Sequence, residues 1–245
     1  MSALTKYCIG VLENLASQPS IAEKIGQSSD IIPWLHNRIR RKESRVSQNK
    51  QYAAEMLAIL LQSSQKNRLS FIELDGVDTL LQLLSAYRKR DPEKDSDEEE
   101  YVENLFACLT CLVDEDAGKG KFIEGEGIEL AQIMLREGKM SKPRALRTLN
   151  FALGGRAGRG ACERLVEVAG LRIVFGMFMK KVRVSRDYTH MRRHAKVSYY
   201  SRITSPLNTC WAYSPLFYDF CPGNQLRGSE LWQNSWKRIT RKFQN

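Results

Sequence analysis

Apolar residues along the first three quarters of the chain recur at i, i+3, i+4 and i+7, the spacing that gathers them on one face of a helix. The clearest stretches follow glycines. After Gly76 come Val77, Leu80, Leu81 and Leu84; after Gly170 come Leu171, Val174, Phe175 and Phe178. Another copy opens at Gly127, and Glu73, Glu124 and Glu167 each stand three residues ahead of their glycine. A weaker copy, SSDIIPWLHNRI, carries Asp30 in the glycine's place, so that the four positions lie 46, 51 and 43 residues apart. An amphipathic helix is predicted ahead of each copy, over 7–16, 52–62, 101–113 and 144–153. In the second of these, Ala53, Met56, Leu57, Ile59, Leu60 and Leu61 cover a wide arc, as helices do between two neighbours. A unit of this size cannot bury its own apolar face, and stacking such units makes an extended surface rather than a pocket. The glycine is expected to take a positive φ at the tight joint between helices.

Between the copies, 38–50 (RIRRKESRVSQNK) and 88–100 (RKRDPEKDSDEEE) lack apolar periodicity and read as solvated loops. The stretch 154–160, GGRAGRG, reads as a flexible joint. Past Val182 the period stops. Residues 182–245 hold 11 of the 22 aromatics, among them Trp211, Trp232 and Trp236, with neither a helical nor an alternating repeat. The expected organisation is a repeat region over 1–181 and an unstructured or non-native tail over 182–245.

Charge sharpens that division. The net charge is +10, but residues 182–245 carry 11 Lys+Arg against 3 Asp+Glu, which leaves the repeat region close to neutral. A basic nucleic-acid-binding protein acting through its tail is therefore the alternative to a protein-binding array. No apolar run approaches the ~18 residues of a membrane span. The N-terminus lacks the basic segment and cleavage site of a secretory signal, and six cysteines without such a signal suggest a reducing compartment.

Candidate chemistry is sparse. Cys108 and Cys111 have the spacing of a redox or zinc half-site, but they fall within a helix's apolar arc and read as buried structural thiols. His190 and His194 are four residues apart without the glutamate of a zinc-protease helix, and GGRAGRG lacks the pattern of a phosphate loop. No catalytic, metal or cofactor site is expected, so the chain reads as a non-enzyme with no small-molecule substrate.

The strings SFIELDGVDTLLQLLSAYRKRDP, YVENLFACLTCL, KFIEGEGIELAQIMLREGKMSKPRALRTLNFAL and VAGLRIVFGMFMKK resemble the armadillo domain of the β-catenin-like family of nuclear, spliceosome-associated proteins. The resemblance implies an all-α armadillo superhelix, nuclear residence, and a scaffold role in pre-mRNA splicing with splicing factors that carry basic segments. It also implies that the glycine-led helices line a partner-binding groove. The positions expected to face outward there are His36, Arg40, Gln82 and Arg136. Family members carry a charged localisation region and further repeats upstream, and more helices after VFGMFMKK, where this chain has an unrelated tail. The codons of 227–244, read one frame over, permit an amphipathic helix like the family's next segment. The tail is thus expected to be out of frame, with a non-functional truncated product as a further alternative.

Overall fold

The computed structural model describes residues 3–28 and 30–178, and the tail from 179 onward lies outside the described residues. Also outside them are the tail features singled out in the sequence: His190, His194 and the three tryptophans. Among the described residues the protein is all-helical. The order is α1 (Ala3–Ala16), α2 (Pro19–Gln27), α3 (Ile31–Arg40), α4 (Gln48–Ser63), α5 (Gln65–Glu73), α6 (Gly76–Ser85), α7 (Asp97–Asp114), α8 (Asp116–Glu124), α9 (Gly127–Glu137), α10 (Ser141–Ala152), α11 (Arg159–Glu167) and α12 (Leu171–Phe178). A 3-10 turn, Arg156–Gly158, precedes α11. These form four triplets. The long first helices stack as α1 on α4, α4 on α7 and α7 on α10, while the third helices stack as α3 on α6, α6 on α9 and α9 on α12. This is the armadillo arrangement.

The first and third helices match the periodic stretches of the sequence, but the second helix of each triplet does not. Segments α5 (QKNRLSFIE) and α8 (DAGKGKFIE) are nine residues long and poor in large apolar side chains. Each commits few side chains to the interior: Asn67, Phe71 and Ile72 in α5, and Phe122 with Lys119 and Gly118 in α8. Phe71 and Phe122 are almost fully buried and act as wedges between first and third helices. At ~150–250 Å² buried per aromatic ring, one such side chain holds a short helix that its backbone propensity would not.

The corner between second and third helices departs from expectation in a specific way. The left-handed residue is the one before the glycine: Asp75 (φ 54°), Glu126 (φ 57°) and Ala169 (φ 56°). Gly76 and Gly127 already belong to the helix. Glycine is required there for space. A Cβ at Gly76 would stand 2.5 Å from the Phe71 carbonyl oxygen, and one at Gly127 would stand 2.3 Å from the Phe122 ring. The wedge aromatic sits directly on the start of the third helix, so the two features are one device.

The connectors are also more structured than their composition suggests. Arg38 is only 7% exposed and donates to Glu43 (2.7 Å) and Ser47 (3.1 Å). Lys50, equally buried, donates from Nζ to the Arg41 carbonyl at 2.9 Å and lies 5.0 Å from the centre of the Tyr101 ring. The Tyr101 hydroxyl donates to the Ile39 carbonyl at 2.9 Å. Lys50 and Tyr101 thus each satisfy a carbonyl at the end of α3, and the Lys50 ammonium brings positive charge where a helix C-terminus favours it. The acidic block behaves alike: Asp97, Glu98, Glu99 and Glu100 form the first turn of α7. Ser96 Oγ accepts from the Glu99 amide at 3.2 Å, and the Glu99 carboxylate accepts from the Asp95 amide at 2.7 Å. That reciprocal capping places negative charge at the positive end of the helix.

Cys108 is fully buried, its thiol directed at the Ala54 carbonyl at 3.9 Å, and burial pushes its pKa well above the ordinary thiol value. Cys111 is also pushed up by burial. Both act as small core side chains. No helix among the described residues is long and apolar enough to cross a membrane.

Candidate functional site

Three third helices in a row, α3, α6 and α9, present one stripe of side chains that the core does not consume. Its register follows from the buried positions. Val77, Leu80, Leu81 and Leu84 are buried in α6; in α9 the equivalent places hold Ile128, Ala131, Gln132 and Leu135. In α3 the corresponding buried places hold Ile32, Leu35, His36 and Ile39, with Arg38 buried beside them. The apolar quartet therefore places Ile31, not Asp30, opposite Gly76, a step of 45 residues. The sequence alignment of the first copy is one residue out.

That slip decides the fate of His36. Expected to face outward, it instead occupies the core place of Leu81 and is 7% exposed. Its Nε2 is hydrogen-bonded to Thr79 Oγ1 of α6 at 2.8 Å, and its ring meets Phe71 edge to face at 5.3 Å. Burial, and then the nearby Arg40 charge, hold its pKa below the usual histidine value, with Asp75 acting in the opposite sense. His36 is thus a neutral pin between the first two repeats rather than a free groove side chain.

The other three expected residues are exposed: Arg40, Gln82 and Arg136. In the corrected register Gln82 has Asn37 as its counterpart on α3, also exposed, so two amides stand at the same position on adjacent helices. Asn37 was missed because of the slip, and aligning by the apolar quartet would have found it. Arg40 and Arg136 share a position three residues further on, where α6 has Ser85. Arg88 donates to the Ser85 carbonyl at 2.8 Å, which brings a guanidinium to that place on α6 as well. Gln82 is held by Asp78, to which its amide donates at 2.7 Å.

The two ends of the stripe differ in sign. Asp75, Asp78 and Glu126 lie at the starts of α6 and α9, and Arg40, Arg88, Lys89 and Arg136 at or beyond the ends of the third helices. Amides, carboxylates and guanidiniums along a row of helices can hold an extended polypeptide by its backbone and its charges. Among the described residues no three His, Cys, Asp or Glu side chains are gathered where a metal ion would bind.

Helix triplets in series with one polar stripe define an armadillo-type repeat protein. A family described as catenin-beta-like, Arm-motif containing nuclear matches residues 3–209. The chain is 40% identical over 176 residues to the beta-catenin-like protein 1 homolog of Schizosaccharomyces pombe, and 38% identical over the same length to beta-catenin-like protein 1 of Homo sapiens and of Mus musculus. In each case the match covers 71% of this chain and 31% of the relative, so the chain spans about a third of the length of the curated relatives it matches. The chain belongs to the catenin-beta-like, Arm-motif containing nuclear family.

Proposed function

We propose that this chain serves as a non-enzymatic protein-interaction scaffold of the nuclear pre-mRNA splicing machinery. The observation that carries the reading is the in-register stripe on the third helices, in a chain whose family is described as nuclear. Extended segments of splicing factors would lie across α3, α6 and α9. Asn37 and Gln82 would bond the segment's backbone, and Asp75, Asp78 and Glu126 would attract its basic side chains. Arg40 and Arg136 bound the other edge. His36 supports the stripe from beneath by fixing α3 against α6.

A photo-crosslinking residue at Gln82, introduced in nuclear extract under splicing conditions, tests this. The expected products are crosslinks to basic segments of splicing factors, weakened when Asn37 is replaced by Ala. Crosslinks confined to RNA, with a steep salt dependence of RNA binding, would favour the nucleic-acid reading. Crosslinks to proteins outside the splicing machinery would overturn the assignment.

A further inference from the structure

The basic edge of the stripe has an order of its own. Arg40 on α3 and Arg136 on α9 occupy one register position, and on α6 that position is supplied by Arg88, whose Nη1 donates to Ser85's carbonyl at 2.8 Å. All three arginines are exposed. Among the described residues the carboxylate tied to this row is Glu137, bonded to Lys89 Nζ at 2.7 Å. The Lys89 ammonium, joined by the charges of Arg136 and Arg88, holds the Glu137 carboxyl below its usual value. The acids of the neighbouring loop have other work: Glu98 pairs with Arg90, Asp91 accepts from the Met140 amide, and Glu99 caps α7.

We propose that this row binds an extended acidic segment of a protein partner, with carboxylates or phosphorylated side chains at every third residue. The spacing follows from packing. Neighbouring helix axes lie ~8–10 Å apart, and three residues of extended chain span about 10 Å. Each guanidinium presents a planar fork that a carboxylate or phosphate fills in bidentate fashion. Three helices also end here, and the partial negative charge of each C-terminus, with Glu137, moderates the field. A row of that kind suits charges spaced ~10 Å apart more than the dense phosphates of a nucleic acid. The inference does not depend on the splicing assignment, because it concerns only which chemistry the row accepts.

Fluorescence anisotropy on the full chain decides it, with three labelled probes. One is a ten-residue peptide with Asp at every third position, one has the same composition with its Asp residues contiguous, and one is an oligouridine of equal charge. The spaced peptide should bind at least about fivefold more tightly than the contiguous one. Arg136→Gln and Arg40→Gln should each weaken it by about tenfold, the size of one charge-assisted contact, and the triple variant with Arg88→Gln should erase the preference. The triple variant keeps the basic tail, so its residual binding of each peptide gives the tail's own contribution. Unchanged thermal melting shows that each variant still folds. Equal affinity for the two peptides, or a preference that survives the triple substitution, overturns the proposal. So does oligouridine binding that exceeds both peptides and is lost in the triple variant.

Discussion

Two seams between third helices, α3 against α6 and α6 against α9, place different chemistry at equivalent positions. The first is polar: His36 and Thr79 share a hydrogen bond of 2.8 Å, edge-on to Phe71. The second is apolar, with Leu81, Leu84, Leu130, Ala131 and Met134 lining a residual void of about 10 Å³. A leucine at this place gains from area alone and tolerates small shifts. A histidine gains only if its partner is met, so it fixes α3 against α6 in one register and penalises every other. The difference teaches that stacking strength and stacking register are separable properties, carried by different seams of one array.

The comparison can be broken most severely at the apolar seam. Leu81→Asp should unfold the array, because an unpaired buried carboxylate costs several kcal/mol against a domain total of ~5–15. Circular dichroism should show the loss of the cooperative melt, and a wild-type melt would refute the burial of Leu81 between α6 and α9. Next comes the corner that feeds the same seam. Gly127→Ala drives a methyl into the Phe122 ring and should cost about 1–3 kcal/mol, read as a lower urea midpoint at unchanged m-value.

At the polar seam, Thr79→Val should cost about 1–3 kcal/mol by leaving His36 without its partner, whereas the pair His36→Leu with Thr79→Val should recover much of that. A double-mutant cycle by chemical denaturation measures the coupling, and an additive cycle would deny the bond any role.

The same seam should respond to pH. The folded-state pKa of His36 lies below its unfolded value, so the neutral form is favoured on folding. Its contribution is complete above the free-histidine value of ~6.5 and declines as pH falls through the window beneath it. Melting curves between pH 7.5 and 5.5 should show this decline in the native protein and a shallower one in His36→Leu. The smallest effect belongs outside both seams, where Arg164 of α11 pairs with Glu129 of α9 at 2.5 Å on a part-exposed surface. Glu129→Gln should cost no more than about 1 kcal/mol.

The first and third helices were legible in the sequence because each buries a full apolar arc, and such arcs survive as i, i+3, i+4 spacing. The second helices were not, since α5 and α8 rely on one aromatic wedge and otherwise present polar residues to water. A repeated Phe-Ile-Glu ahead of each corner (Phe71–Glu73, Phe122–Glu124) was the available signal. Asp30 misled the alignment of the first copy because acidity before a corner is a weaker constraint than the buried quartet, and the slip moved His36 to the surface and hid Asn37. The charged connectors read as solvated because composition does not reveal that Arg38 bonds Glu43 and Ser47 across the connector or that Lys50 reaches the carbonyl at the end of α3. The exposure of Arg40, Gln82 and Arg136 was legible, since each falls outside the buried quartet of its helix.

Tyr101 ties α7 to the last turn of α3, a third-triplet residue satisfying a first-triplet carbonyl. Solenoid energetics are ordinarily written as a one-dimensional chain in which each unit senses only its immediate neighbours. Here a second-neighbour term enters. Loss of order in the first triplet would strip a buried phenol of its acceptor two triplets away, so the three triplets spanned by that bond should melt as one cooperative block. The fourth is held to the block by Thr110–Thr148, Arg144–Glu103 and Arg164–Glu129, first-neighbour contacts of the kind the one-dimensional picture already contains.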